Sequence, residues 1–329
     1  MSKTIDKKIV LVGPGTLPIP VSGNNGWGGI ENTLTLIIQE LDKRNQKYVL
    51  INQQNNYIEK IQKEVNNEDC IVHVHYDDYA HEIKGKINCP LVSTSHSPYH
   101  PFIPLWKDGI GFHFHRLFHS VDAYFGQSQI SNDNALRLRK DIKTGLCRCG
   151  IPDSLYKPYR VEKGNGRSLI IGKIEERKNQ ATIQKMFGND LDIDFVGHIA
   201  DPNFIPANYG KSRYLGTWSR QEVFEKMPQY SSLILLSHFE GDVLVVKEAV
   251  AAGCSLVLSS SASLNMESGL PFVCTYNNKD DMKNFVQDVR RINLENEKQK
   301  KNILEYFNRK FEITKTVDEY IESLEKLYA

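Results

Sequence analysis

The fold is decided by the stretch SLILLSHFEGDVLVVKEAVAAGCSLVLS, residues 232–259. Its first part, Leu233–Leu236, is a continuous apolar run of the kind found in strands that a parallel sheet buries on both faces. Asp242 suits a helix N-cap, Val243–Ala252 is compatible with a helix, and Gly253 stands where a helix C-cap belongs. The stretch therefore predicts a strand, a turn, a helix and a second strand.

Two carboxylates frame this turn, Glu240 at its tip and Glu248 about two helical turns further on. An acid at the carboxyl end of a strand in an open α/β sheet points into the crevice where such sheets bind ligands. The alternative for Glu248 is a carboxylate on a solvated helix surface beside Lys247. The sequence around Glu248 does not by itself separate the two interpretations.

The segment SHFEGDVLVVKEAVAAG, residues 237–253, resembles the signature of glycosyltransferase family 4, roughly S-x-x-E-G-F-G-L-x-x-x-E-A-M-A-x-G. Asp242 and Val243 replace the usual Phe-Gly, which adds a carboxylate within the turn that contacts the sugar in that family. The resemblance implies an α/β protein of GT-B architecture, with two Rossmann-like domains facing each other across a donor-binding cleft. The matching positions are Ser237, Glu240, Gly241, Leu244, Glu248, Ala249 and Gly253.

Length and element order also favour two domains. The chain has 329 residues, long for a single core, and strand and helix patterns alternate from end to end. We predict an N-terminal Rossmann-like acceptor domain over 1–152 and a nucleotide-sugar donor domain over 153–309. A C-terminal helix, about 310–329, is expected to return to the first domain, as is common in GT-B proteins.

The composition indicates a protein with little net charge, and therefore no strong overall electrostatic field, and without a membrane-spanning segment. The 41 basic and 40 acidic residues nearly cancel, which gives no reason to expect a polyanionic partner. No apolar run is long enough to span a bilayer, and the N-terminus lacks a signal-peptide core. The six cysteines are scattered, as expected of reduced thiols. A cytoplasmic protein is predicted, in the host cytoplasm for a viral source, as a monomer or homodimer.

Two further segments resemble elements of the family that hold the donor diphosphate. In GWGGIE, residues 26–31, glycines allow backbone N–H groups to approach an anion at a helix N-terminus. The resemblance assigns Gly28 and Gly29 to the diphosphate. In GKIEERK, residues 172–178, Lys173 replaces the family's Arg, Lys178 keeps its place and Arg177 is a substitute for the missing guanidinium. An ordinary loop and a solvated charge run are the alternatives.

The resemblance also implies roles for the remaining candidates. Glu240 would contact hydroxyls of the donor sugar, Glu248 the ribose, and Gly197 would lie near the nucleotide base. His96, just past a strand, corresponds to a family histidine near the reacting centre, although several other loop histidines lie nearby. The predicted catalytic residues are Glu240, His96 and Lys178. The predicted donor-binding residues are Gly28, Gly29, Lys173, Lys178, Gly197, Glu240, Gly241, Asp242, Val243, Leu244 and Glu248.

Two segments resemble motifs of other protein classes, but each match is incomplete. HVHYDD, residues 73–78, resembles the HxHxDH of metallo-hydrolases, and strand alternation puts His73, His75 and Asp77 on one face. The final histidine is absent, so no metal site is predicted. GPGTLP at Gly13 begins like a dinucleotide loop but has no third glycine at the required place.

Similarity to the family implies a glycosyltransferase that uses a nucleotide-diphosphate sugar, with a UDP-sugar expected, and retains the anomeric configuration without an obligatory cofactor or metal. The acceptor is open between a glycan and DNA with hydroxymethylated bases. The DNA alternative, a viral DNA glycosyltransferase, rests on aromatic residues in 100–119 and on the basic run Arg137–Arg148, for which a charged helix face is the simpler explanation. A GT-B protein that only binds or epimerises a nucleotide sugar is the alternative from another class.

Overall fold

The computed structural model describes residues 3–15, 18–20, 29–52, 56–65, 69–97, 109–277 and 280–327. The chain divides into two units. Unit 1 comprises Met1–Gly150 together with Ile313–Ala329, and unit 2 comprises Ile151–Glu312. Each unit is described by itself below.

Unit 1 is built on a six-stranded sheet in which every strand pair is parallel, in the order β2-β1-β3-β4-β5-β6. Hydrophobic residues of the strands are packed under the helices, as expected for strands covered on both faces. The strands are β1 Lys8–Val12, β2 Tyr48–Ile51, β3 Cys70–Val74, β4 Leu91–Ser93, β5 Ala123–Gly126 and β6 Lys143–Leu146. The helices are α1 Gly29–Lys43, α2 Tyr57–Val65, α3 Asp77–Ile83, α4 Gly109–Phe118, α5 Gln129–Leu138 and α10 Ile313–Glu325.

Unit 2 repeats the same architecture with a second parallel sheet in the order β12-β11-β10-β7-β8-β9. The strands are β7 Ser168–Ile171, β8 Ile193–Val196, β9 Arg213–Tyr214, β10 Ser232–Leu235, β11 Ser255–Ser259 and β12 Val273–Tyr276. The helices are α6 Gln180–Phe187, α7 Arg220–Lys226, α8 Leu244–Ala252 and α9 Phe285–Lys310. The α/β class and the parallel sheets expected from the sequence are therefore present in both units.

The order of the second sheet places a topological switch point between β7 and β10. From β7 the chain proceeds to β8 and β9 on one side, and β10 starts the series that leads to the opposite edge. Open α/β sheets bind their ligands at the carboxyl ends of strands beside such a point. The segments that follow β7 and β10 are the two in which the sequence predicts diphosphate and sugar contacts.

The ends of some elements differ from the sequence predictions. The C-terminal region forms two helices, α9 and α10, separated at Phe311 and Glu312, and α10 lies within the range of about 310–329 in which the sequence predicts a C-terminal helix. The N-cap of α8 is Val243, and no side chain caps it, so the prediction that Asp242 caps this helix is wrong. Gly253 ends α8 with φ +84°, as predicted for a left-handed C-cap. Within the described ranges, none of the helices combines the length and apolarity that crossing a membrane requires.

Candidate functional site: the carboxyl ends of β7 and β10

The segments that follow β7 and β10 are in direct contact. His238 donates its backbone N–H to the carbonyl of Arg177 at 2.9 Å. The guanidinium of Arg177 donates in return to the carbonyl of Phe239 at 2.6 Å. These backbone contacts fix the turn before α8 against the loop after β7. The glutamate segment and the lysine segment, more than 60 residues apart in sequence, therefore form one site in unit 2.

Glu240 is buried in this site and is paired with Arg177. The Arg177 Nη1 atom lies 3.2 Å from Glu240 Oε1, and its Nη2 atom donates to Glu175 at 2.8 Å. Glu240 retains 8% of its accessible surface, so its carboxylate is largely removed from water. A buried carboxylate without a charged partner is costly. Arg177, which the sequence suggested as a diphosphate ligand, supplies that partner.

Lys178 is a half-buried cation whose charge interacts with those of Glu240 and Arg177. Burial lowers the pKa of its ammonium group, and the negative charge of Glu240 opposes that shift. In the part of the chain that the structure describes, no carboxylate oxygen lies within ion-pair distance of Lys178 Nζ. Lys173 is exposed and pairs with Glu175 at 3.6 Å. Of the two lysines predicted to hold the diphosphate, Lys178 is thus the one with a charge that the protein leaves largely uncompensated.

Two glycines make room at the ends of β7 and β8. Gly172 has φ +131° and Gly197 has φ +146°, conformations that residues with a side chain rarely adopt. A Cβ on Gly197 would lie 1.9 Å from the carbonyl oxygen of Gly172, and a Cβ on Gly172 would lie 2.8 Å from Lys178 Nζ. The close approach of the two strand ends therefore requires a glycine at position 197, whereas a side chain at position 172 would meet the end of the Lys178 side chain. Gly197 therefore has a structural requirement for glycine, and its predicted contact with the base stays a prediction.

Glu248 lies on the buried side of α8, not on a solvated face. Its side chain is 4% exposed and accepts a charged hydrogen bond from Arg220 at the start of α7. The Arg220 guanidinium also stacks over the ring of Phe224 at 4.8 Å. The surface alternative considered for Glu248 is therefore wrong. Arg220 is not predictable from the sequence as this partner, since nothing in the spacing of the two residues signals a pair.

Asp242 does not present its carboxylate as the sequence suggested. Its side chain is fully buried, accepts from Asn265 Nδ2 at 2.6 Å and pairs with Lys247 of α8. Lys247 is itself 1% exposed and lies over the ring of Phe311 at 5.6 Å. The Asp-Val replacement for Phe-Gly has thus created an internal ion pair. The expected extra carboxylate among the sugar contacts is absent, because Lys247 and Asn265 hold it in the interior.

The glycine-rich loop is only partly visible. Gly28 lies outside the described residues. Gly29 is the first residue of α1, with open space around the position of a Cβ, and its carbonyl accepts from the Thr33 hydroxyl at 2.8 Å. A 15-residue helix begins here, and its N-terminus carries partial positive charge. Contact of either glycine with a diphosphate stays a prediction.

His96 follows β4 in unit 1, and both of its ring nitrogens are engaged by protein side chains. Gln127 Nε2 donates to His96 Nδ1 at 3.0 Å, and His96 Nε2 lies 3.1 Å from His75 Nδ1. Contact between a His96 nitrogen and a substrate therefore requires one of these hydrogen bonds to be exchanged. Its predicted place near the reacting centre stays a prediction.

The basic run Arg137–Arg148 is not one charged helix face. Of its basic residues, only Arg137 belongs to α5, and Lys143 is the first residue of β6. Arg139 donates to the carbonyls of Phe118 and Val121, and Arg148 pairs with Glu319. Both guanidinium groups are committed to the fold of unit 1. The structure therefore gives the DNA alternative no support from this run.

Comparison with known proteins identifies solved structures that share this fold. No protein-family model and no curated protein sequence matches the chain. Solved structures match nearly all of it. The Anabaena protein HepE in complex with UDP is similar with a TM-score of 0.71 and 14% identity, over 97% of this chain and 100% of that chain. Sucrose-phosphate synthase from Thermosynechococcus elongatus gives a TM-score of 0.76 and 14% identity, over 98% and 99%.

A glycosyltransferase from Rickettsia africae is similar as well, with a TM-score of 0.68 and 14% identity over 98% of this chain and 99% of that chain. The chain therefore has the fold of the GT-B glycosyltransferases, as the sequence resemblance implied. Because the identity is low, this likeness establishes the fold, and activity has to be argued from the residues.

Proposed function

We propose that the protein is a glycosyltransferase that moves a sugar from a nucleoside-diphosphate sugar, expected to be a UDP-sugar, to an acceptor hydroxyl. The observation that carries the proposal is the joined site at the switch point of unit 2. There a buried carboxylate, Glu240, and a half-buried cation, Lys178, come from the two segments that resemble the family's donor-binding elements. The fold shared with a structure that contains UDP supports the same donor class.

The charge and the position of each site residue suggest its role in the proposed sugar transfer. In the reaction the bond between the anomeric carbon and the diphosphate oxygen breaks, and the electron pair passes to the phosphate. Lys178, with Lys173, would stabilise that developing charge, which is worth most in a site shielded from water. Glu240 would accept hydrogen bonds from sugar hydroxyls, and Glu248 from the ribose. The amides of Gly241, Asp242, Val243 and Leu244, around the N-terminus of α8, would complete the donor turn.

Retention at the anomeric carbon is the stereochemical course that the family resemblance implies. The acceptor oxygen then bonds to the anomeric carbon on the face that the diphosphate leaves, and its proton passes to the departing phosphate. This course requires no protein nucleophile. Analysis of the anomeric configuration of the product by NMR tests it, and an inverted product would exclude it.

The decisive experiment measures sugar transfer with a panel of nucleotide sugars against pooled glycans and, separately, against hydroxymethylated duplex DNA. Nucleotide diphosphate should be released when a glycan acceptor is present, and Glu240→Gln should abolish most of this release. An intact donor with every acceptor, or interconversion of the donor without release of the diphosphate, would indicate the binding or epimerising alternative. Transfer to DNA that falls steeply with salt would establish the DNA alternative instead.

A further inference from the structure

Unit 1 contains a buried cluster of soft and borderline metal-ligating groups that the donor site does not use. His73 and His75 come from the end of β3, and Cys147 follows β6. Their ligating atoms all lie within 4.8 Å of one another. Among the described residues, this is the one group of at least three His, Cys, Asp or Glu side chains with that geometry. The three side chains are at most 1% exposed. The Asp77 of the HVHYDD motif is not part of it, because its carboxylate accepts from Ser95 at 2.8 Å.

The tautomer of His73 is fixed by its neighbours. The Thr94 hydroxyl donates to the carbonyl of Phe125 at 2.8 Å, so its oxygen accepts the hydrogen of His73 Nε2 at 2.9 Å. His73 Nδ1 therefore carries no hydrogen, and its lone pair accepts a hydrogen bond from the Tyr320 hydroxyl at 2.8 Å. A metal-bound imidazole has this same arrangement, with one nitrogen tied to a neighbouring acceptor and the other available as a ligand.

His75 offers the second nitrogen. Its Nδ1 atom is hydrogen-bonded to His96, whereas Nε2 is buried with no hydrogen-bond partner among the described residues. A buried polar nitrogen without a partner costs about 1–3 kcal/mol. If the Gln127 amide turns by half a turn, its oxygen accepts a hydrogen bond from His96 Nδ1. His96 Nε2 then accepts from His75 Nδ1, and His75 Nε2 carries a lone pair and no hydrogen. In that state both histidines present a bare nitrogen.

From this geometry we propose that His73 Nδ1, His75 Nε2 and Cys147 Sγ form a binding site for a thiophilic d¹⁰ cation, Zn²⁺ or Cu(I). Two imidazoles and a thiolate are donors that select these ions over Mg²⁺ or Ca²⁺. Binding releases the thiol proton of Cys147 to solvent, and Tyr320 gives up its hydrogen bond to His73.

The site uses none of the unit 2 residues that carry the proposed transfer reaction, and it touches the predicted catalytic set only through the hydrogen bond between His75 and His96. It ties the end of β3 to the end of β6, next to Tyr320 of α10, so the ion would stabilise unit 1. We therefore expect it to raise the melting temperature in proportion to its binding. A failure of the metal experiment would leave the glycosyltransferase proposal untouched, and the reverse also holds.

The test loads the full-length protein with Zn²⁺ or with Cu(I) under reducing conditions and measures bound metal after dialysis against a weak chelator. We expect about one ion per chain for one of the two metals. Cys147→Ser and His75→Gln should each weaken binding by at least about tenfold. Cys149→Ser is the matched control, since Cys149 is equally buried two residues further on but lies outside the cluster, and it should bind as the unaltered protein does.

Tyr320→Phe distinguishes a metal site from a purely structural cluster. A structural role predicts lower stability and no metal effect, because His73 Nδ1 loses its donor. The metal site predicts binding that is unchanged or tighter, because the competing hydroxyl is gone. Absence of bound Zn²⁺ and Cu(I) in the unaltered protein, or equal losses in Cys147→Ser and Cys149→Ser, would overturn the proposal.

A third measurement keeps the test independent of the folding of the variants. If Cys147→Ser and His75→Gln do not fold, the melting temperature of the unaltered protein is compared with each metal and with a strong chelator. An increase with one of the two metals supports the site, and identical melting curves overturn it.

Discussion

Arg177 neutralises Glu240 across the switch point of unit 2, with 3.2 Å between Nη1 and Oε1. This contact joins the loop after β7 to the turn after β10, so the predicted phosphate site and the predicted sugar site are parts of one electrostatic unit. A substitution at either residue should change both the charge and the shape of the donor site. The predictions below use this coupling.

Glu240→Gln should leave the protein folded and reduce kcat/KM for sugar transfer by about ten- to a hundredfold, the equivalent of a lost hydrogen bond to a charged group, about 1.5–3 kcal/mol. Glu176→Gln, in the same site region but exposed, is the control and should keep full activity. Steady-state kinetics with a UDP-sugar measure both. Equal activity of the two variants would exclude Glu240 from the donor site.

Lys178→Ala should weaken UDP binding by about 1.5–3 kcal/mol while uridine binding changes little, because the charged hydrogen bond to the diphosphate is lost. Lys173→Ala, at an exposed position, should have a smaller effect. Isothermal titration calorimetry gives both affinities. A loss that is equal for UDP and uridine would place Lys178 away from the phosphates.

UDP affinity should also fall at alkaline pH. Burial lowers the pKa of Lys178, so in the free protein its ammonium group loses its proton below the usual lysine value of about 10.4. As pH rises through this lowered pKa, the positive charge that attracts the diphosphate disappears and the affinity decreases. In Lys178→Arg the guanidinium stays charged, and the alkaline decrease should vanish. Calorimetric titrations at several pH values between neutral and alkaline test this, and parallel curves for both proteins would contradict it.

Arg220→Met should destabilise the fold of unit 2 by about 3 kcal/mol, because it leaves the buried carboxylate of Glu248 without its partner. Adding Glu248→Gln should recover most of this loss, since no buried charge then remains unpaired. Denaturant unfolding of the two single variants and the double variant gives the coupling free energy. Additive losses would mean that the pair does not interact energetically.

The buried pair of Asp242 and Lys247 should behave in the same way. Lys247→Met alone is expected to cost about 3–5 kcal/mol, whereas Lys247→Met with Asp242→Leu should be close to neutral. Chemical unfolding measures both. If the double variant is as unstable as the single one, the carboxylate of Asp242 is stabilised by Asn265 without the lysine.

The sequence predicted most of the fold because the decisive information is local. The apolar run Leu233–Leu236 and the glycine at 253 specify a buried strand and a helix end through periodicity and backbone conformation, and both are present. The position of Glu240 after a strand was likewise sufficient to place it at a sheet edge. Local sequence patterns were therefore sufficient to predict the strands and helices and their order along the chain.

The partners of the site residues were not predictable, because they depend on contacts between distant segments. Arg220 precedes Glu248 by a full helix and strand, and Asn265 follows Asp242 after another strand. The carboxylate of Asp242 was expected among the sugar contacts, because the family resemblance places this position in the turn that contacts the sugar. Lys247 reverses that expectation by supplying a buried counter-charge, which no local pattern signals.

Unit 2 interrupts the sequence of unit 1, and the two points of interruption are neighbours. The backbone N–H of Ile151 donates to the carbonyl of Phe311 at 2.8 Å, and a Cβ on Gly150 would lie 2.6 Å from the Cα of Ile313. During synthesis, residues 1–150 emerge long before the helix that completes their core, so unit 1 must wait for the last residues of the chain. Excising 151–312 and joining Gly150 to Ile313 through a short linker is the rearrangement that would release unit 1 from this delay.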